Sequence, residues 1–338
     1  MSRSDYQDTG CTGVLCVSEV LLEVRNLCTY FYTVKGIVRA VDDVSFSLRR
    51  GEVLGLAGES GCGKSTTAYS IIRLVPPPGR IVKGEIFFEG RDILRMSSEE
   101  FRTKIRWKKI SMIFQGAMNA LNPVYKIGDQ IAEVLVLHEN LTKREAYEKA
   151  RELLKTVGID PSRINSYPHE LSGGMKQRVM IAMALALNPP LVIADEPTTA
   201  LDVVVQAQIM NLLKRLQREH GTSIILITHD LSLIAEIANK VAIMYAGKIV
   251  ELGYSEQIYY NPYHPYTKGL LASIPRIRGE ISKLEWIPGV PPDLRNPPPG
   301  CRFHPRCKYR FDLCSREEPP MVEVEREHYV ACWLYAKK

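Results

Sequence analysis

Eight residues, Gly58-Glu59-Ser60-Gly61-Cys62-Gly63-Lys64-Ser65, constrain this chain more than any other stretch. Glycine, four residues, then Gly-Lys-Ser lets successive backbone N–H groups curl inward around an anion. The apolar run before it (EVLGLA, from Glu52) predicts a strand. The run after it, from Thr66 (TTAYSIIRL), predicts a helix whose N-terminus adds partial positive charge. Strand, glycine-rich loop and helix form the opening unit of a phosphate-binding α/β fold. Lys64 is expected to reach the β- and γ-phosphates of a nucleotide, and Ser65 to ligate Mg²⁺. A glycine-rich turn with no ligand is the alternative, and the flanking strand and helix weigh against it.

The rest of the chain fits that frame. Its 338 residues are 45% hydrophobic, enough for one large domain and an appendage. LLEVRNL and AVDDVSFSL, between residues 21 and 50, alternate as half-buried strands do, and GEIFFEGRDI reads as another strand and turn. Residues 129–163 read as helical, with a capping box at Thr142 and Glu145, an apolar face at Ala150, Leu153, Leu154 and Val157, and a stop at Gly158. Val179 to Ala194 reads as a buried helix, a turn and a buried strand. Val203–His220 is expected to be a helix and SIILITH a strand. Short apolar strands alternating with helices predict a mostly parallel sheet. From about residue 258 proline and tyrosine rise, and an extension that wraps rather than packs is expected.

No run approaches the ~18 apolar residues of a membrane span, and residues 1–20 read as a tail without a signal peptide. A soluble chain is expected, whose membrane role comes through partners. The net charge of +6 is too small to argue for nucleic acid.

Two further stretches carry chemistry. Leu191-Val192-Ile193-Ala194-Asp195-Glu196 reads as a buried strand ending in two acids. Asp195 is expected to hold Mg²⁺, and Glu196 to polarise the attacking water. Two solvated acids at a strand end are the alternative, which the upstream phosphate loop disfavours. In Leu171-Ser172-Gly173-Gly174-Met175-Lys176-Gln177-Arg178, Ser172 caps a helix and two glycines let the backbone approach an oxyanion. An ordinary N-cap explains the serine but not the paired glycines. The chain thus carries two phosphate-binding elements.

On these residues the sequence resembles the ABC ATPase family, whose signature is LSGGQ, with Met175 in place of the usual Gln. The resemblance implies an α/β, RecA-like P-loop core with an antiparallel β subdomain and a helical subdomain, roughly residues 116–180. The core spans 21–257, and a loop-rich C-terminal extension 258–338. It implies that ATP contacts Gly58, Ser60, Gly61, Cys62, Gly63, Lys64, Ser65 and Thr66. Cys62 reads as tolerated there rather than as a redox switch. Phe31, with Tyr30 and Tyr32 as rivals or simple core, is placed against adenine. Gln115 resembles the Q-loop residue that senses Mg²⁺, Asp202 a D-loop residue, and His229 the switch histidine. Ser172, Gly173, Gly174 and Gln177 would meet ATP bound to a second subunit, head to tail, with Glu196 as the base.

The last 38 residues hold Cys301, Cys307, Cys314 and Cys332. Without a secretory signal, zinc, an iron–sulfur cluster or unligated thiols are all open, with disulfides a lesser alternative. Pro-Gly-Val-Pro-Pro (288–292), GCRFHPRC and NPYHPYTKGLL resemble the C-terminal extension of dipeptide and oligopeptide importer ATPases. That resemblance implies a [4Fe–4S] cluster on the four cysteines, with Zn²⁺ as the alternative. A structural staple for the loop-rich tail is expected, with redox sensing as the alternative, since nothing in the sequence shows an electron path. The implied partners are a second ATPase, giving a heterodimer, two transmembrane permease subunits docking near Gln115 and residues 118–165, and a separate extracytoplasmic binding protein. The implied location is peripheral, on the cytoplasmic membrane face. Peptides are the expected cargo, with sugars or nickel as alternatives. A soluble ABC ATPase working on DNA or ribosomes is disfavoured by the single cassette and the absence of a heptad run.

Overall fold

The computed structural model describes residues 19–116, 120–273 and 287–336. The N-terminal tail with Cys11 and Cys16, and part of the expected permease-docking stretch, lie outside the described residues.

Two sheets carry the fold. The smaller is antiparallel, in the order β2-β1-β4-β5. Its strands are β1 (Val20–Thr33), β2 (Gly36–Arg49), β4 (Gly79–Phe88) and β5 (Arg91–Asp92). The larger has eight strands. Five are parallel neighbours: β9 (Lys240–Tyr245), β3 (Val53–Ala57), β8 (Ser223–Ile227), β7 (Leu191–Asp195) and β6 (Ile110–Ile113). Every residue of these five strands is buried. Continuous apolar runs are what a sheet covered on both faces requires.

One core cluster lies between the two sheets, with Leu22, Val44, Leu54, Ile86, Ile193 and Ile225. The other packs helices on the opposite face, with Ile131, Leu154, Val179, Ile209, Leu213 and Leu226. The helices Ile127–Glu139 and Lys143–Thr156 belong to this second side. The Thr142–Glu145 capping box is formed: the Glu145 N–H donates to Thr142 Oγ1 at 3.4 Å, and the Thr142 N–H to Glu145 Oε2 at 2.9 Å.

The expectation that the C-terminal stretch only wraps is corrected. Strand β10 (Lys248–Tyr254) runs antiparallel to β9. It is extended by β12 (His328–Ala331) and then β11 (Met321–Glu325), so the extension adds two strands to the core sheet. MVEVE and HYVA carry the alternation of edge strands, but their proline-rich surroundings hide it. The larger sheet is therefore parallel at its centre and antiparallel at one side.

Candidate functional site

The phosphate loop leaves β3 and enters the helix Lys64–Ile71. Gly58 and Gly63 have φ of 149° and 108°, and a Cβ at either would sit 2.2 Å from a backbone oxygen, of Met244 and Ala40 respectively. No other residue fits those two corners. The loop borders a cavity of about 320 Å³ lined by Phe31, Val38, Ala40, Ser60, Gly61, Gly63, Lys64, Ser65, Thr66, Gln115, Glu196 and Leu294. Of the three rival aromatics only Phe31 lines it. The Tyr30 hydroxyl instead donates to Asp42 at 2.6 Å, and Tyr32 lies in contact with Arg80. The Cys62 side chain is buried in the inter-sheet core, so only its backbone can face a nucleotide.

Lys64 Nζ folds back onto its own loop, donating to the carbonyls of Gly58 (2.7 Å) and Glu59 (3.0 Å). Ser65 Oγ donates to Asp195 Oδ1 at 3.0 Å, while Asp195 Oδ2 is buried without a partner. Burial, helped by the Glu196 charge, pushes the Asp195 carboxyl up to about 6 despite the Ser65 bond and Lys64. An orphaned carboxylate oxygen beside a serine hydroxyl is the donor set a hard divalent cation completes. The two residues fit Mg²⁺.

Glu196 follows with φ of +46°, an unusual value for a residue with a side chain. Its N–H donates to the Ile227 carbonyl at 2.8 Å, which fixes that turn. The carboxylate gathers three groups. Gln115 Nε2 (2.7 Å) and Thr199 Oγ1 (2.8 Å) donate to Oε2, and His229 Nδ1 lies 3.2 Å from Oε1. Burial raises its pKa, but the Thr199 and His229 hydrogen bonds and the His229 and Lys64 charges outweigh it and hold the group below its ordinary value. Gln115, Glu196 and His229, predicted from three distant stretches, meet at one point. Thr199 was not foreseen; its place three residues after Glu196 was the available signal.

Ser172, Gly173, Gly174, Gln177 and Asp202 do not line this cavity. Ser172 caps the helix Gly173–Leu185, accepting the Met175 N–H at 3.4 Å. Asp202 caps Val203–His220, accepting the Val205 N–H at 2.9 Å. Gln177 is buried, and its Nε2 has no partner. One chain therefore presents a phosphate pocket in one place and a second helix N-terminus with paired glycines in another.

Comparison with known proteins agrees with this geometry. A model of the ABC transporter family matches residues 41–199, and one for the C-terminal region of oligopeptide/dipeptide transporters matches residues 250–314. The oligopeptide transport ATP-binding protein OppD of Bacillus subtilis is 53% identical over 93% of this chain and 88% of its own. This chain belongs to the ABC transporter ATPases. The dipeptide transport ATP-binding protein DppD of the same organism is 50% identical over 94% of this chain and 95% of its own. OppD of Escherichia coli is 49% identical over 94% of both chains. A dimeric, post-hydrolysis structure of the ATP-binding cassette MJ0796, bound to ADP and Pi, superposes with a TM-score of 0.63 at 29% identity. That match covers 70% of this chain and 99% of that one. The ABC cassette thus accounts for the core, and the remainder of this chain lies beyond it.

In that remainder the four cysteines are free and line one small cavity with His264, Phe303, His304 and Trp333. Burial, with the neighbouring cysteines, raises the Cys301 thiol to about 12 and Cys332 to about 11. Among the described residues, no group of three or more His, Cys, Asp or Glu is placed to hold a metal ion. The extension is fastened by buried polar groups. The Glu251 carboxylate accepts the N–H groups of Tyr263 (2.7 Å) and His264 (3.0 Å) and lies 2.9 Å from His328 Nε2. No helix among the described residues is long and apolar enough to cross a membrane.

Proposed function

We propose that this chain is the ATP-hydrolysing subunit of a peptide importer, closing as a head-to-tail dimer around two nucleotides. The separation of the Lys64 pocket from the Ser172–Gly174 helix start carries the dimer reading. ATP bound at one element needs the other from a second chain. Lys64 and the loop amides would hold the phosphates, and Ser65 and Asp195 would hold Mg²⁺, which supplies charge neutralisation at the β- and γ-phosphates. Glu196 would take the proton of the attacking water once Gln115 and His229 turn from it to the metal, the water and the γ-phosphate. Phe31 would face the base. The core would be residues 21–257, with its helical part near 116–180, and the extension 258–338.

The peptide cargo is supported by the match over residues 250–314 and by the oligopeptide and dipeptide transporters among the relatives. The partners would be a second ATPase, different from this chain, and two permease subunits receiving cargo from an extracytoplasmic binding protein, with this chain peripheral on the cytoplasmic face. For the four cysteines, a donor set of thiols alone around one cavity supports a [4Fe–4S] cluster. It supports Zn²⁺ less, because the spacings lack the close CxxC pairs of common zinc sites. Iron and acid-labile sulfide assays on anaerobically purified protein test this.

The dimer is tested by size-exclusion chromatography of Glu196→Gln with MgATP, alone and mixed with the companion ATPase. The closed dimer is expected, and it is lost when Ser172→Arg is added. A Glu196→Gln protein that stays monomeric in both settings refutes the reading.

A further inference from the structure

Residue Glu59 of the phosphate loop is held at all three of its polar groups. Its carbonyl accepts from Lys64 Nζ. Its N–H donates to the Tyr266 hydroxyl at 2.9 Å. Its carboxylate is gripped from both sides by Arg306, with Nη1 to Oε2 at 2.7 Å and Nη2 to Oε1 at 3.0 Å. Tyr266 and Arg306 both lie in the extension, 207 and 247 residues from Glu59.

Arg306 is itself fixed. Its Nε donates to the Pro288 carbonyl at 2.8 Å, its guanidinium lies 5.7 Å from the Tyr245 ring centroid, and its side chain is 6% exposed. A planar fork bonded on every edge is not replaceable by lysine. A second arginine repeats the arrangement nearby. Arg302 donates to the Ala246 carbonyl and to Asp42, and the next residue, Gly247, donates its N–H to the Cys62 carbonyl of the phosphate loop at 2.9 Å. At the apolar end of the same cavity, beside Phe31, Val38 and Ala40, stands Leu294, whose carbonyl accepts the Arg39 N–H at 3.0 Å.

We propose that the C-terminal extension is a working part of the nucleotide site. Arg306 is a positioning residue that sets the phosphate loop through Glu59, and Leu294 is a contact wall on the base side. This deepens the nucleotide-site reading and rests on it. In an unbraced loop the Glu59 peptide can turn, and the Lys64 ammonium then starts from a different place. In this chain the extension fixes that peptide before ATP arrives, so binding does not bear the cost of ordering it. Leu294 acts separately, by apolar contact, and only on a ligand that has a base.

The experiment measures dissociation constants of the full chain for ATP and for inorganic tripolyphosphate by calorimetry. Lys64→Ala serves as the control and thermal melting as the check on folding. Arg306→Lys is expected to weaken both ligands about tenfold, within the range for contacting residues in one network. Glu59→Gln, which leaves the Arg306 bonds to Pro288 intact, should do the same. In the Glu59→Gln background Arg306→Lys should cost less than about twofold more, because the two act as one unit. Leu294→Ala should weaken ATP about fivefold and leave tripolyphosphate unchanged, as loss of a buried apolar contact does. Equal costs of Arg306→Lys in both backgrounds, or unchanged affinities in a folded variant, overturn the proposal. If Lys64→Ala itself leaves ATP binding intact, the nucleotide-site reading fails instead.

Discussion

The phosphate pocket and the C-terminal extension use charged residues in opposite ways. In the pocket they are left with spare valence. Asp195 Oδ2 has no partner, Lys64 is parked on its own loop, and the His229 side chain is 62% exposed. Where the extension joins the core, the carboxylates are saturated, while the His264 and His328 imidazoles each keep one nitrogen without a hydrogen-bond partner. Glu251 is surrounded by Tyr263, His264 and His328, and Glu327 by Arg49, Lys240 and Tyr254. Unsatisfied polar groups are costly to a fold and persist where a ligand completes them; satisfied ones specify a unique packing. The first region is arranged for chemistry and the second for attachment.

The comparison breaks if changes in the pocket melt the protein, or if changes in the extension spare it. Glu196→Gln should lower the hydrolysis rate of the assembled transporter by about 10²- to 10⁴-fold, the range for removing a general base, with ATP still bound. Steady turnover near the wild-type rate would remove Glu196 from that role. Lys64→Ala should weaken ATP by about a hundredfold, as loss of a buried charged partner does, while the melting temperature stays nearly unchanged. Calorimetry and thermal melting measure the two effects on one sample.

At the junction of core and extension the order reverses. Glu251→Gln leaves His328 without its carboxylate and should destabilise the fold by about 3 kcal/mol, as breaking a buried pair does. Denaturant melts with amide exchange across 321–331 would show the loss starting there. A comparable effect comes from acid. Burial holds His264 down to about 4, against the pull of Glu251, and its Nε2 has no partner. Between pH 6.5 and 4 the unfolded chain takes up a proton that the native chain refuses, so this stability is complete above pH 6.5. It falls with acid by up to about 1.4 kcal/mol per pH unit. His264→Phe should flatten that part of the profile. Smallest, Phe31→Ala should weaken ATP by about 1 kcal/mol, the scale of a lost aromatic stacking contact, and leave tripolyphosphate binding alone.

The strands that carry the pocket were legible because they are short, apolar and flanked by motifs. Leu191–Asp195, Ser223–Ile227 and the helix Val203–His220 lie where the sequence places them. β11 and β12 were not legible, because these five- and four-residue strands in a proline-rich stretch pair with each other and join the sheet only where β12 meets β10. Thr199 was within reach of the sequence; Leu294 and Arg306 were not.

By itself the sequence determined the phosphate loop, the two acids at the end of β7 and the second cradle at Ser172. Their chemistry depends on residue type at fixed spacing and on backbone freedom at particular glycines. Tertiary structure alone decided that Gln115, Glu196 and His229 meet, that Asp195 keeps one oxygen free, and that Arg306 reaches Glu59. Those facts depend on contacts between residues tens to hundreds of positions apart, and folding brings them together by burying the strands between them.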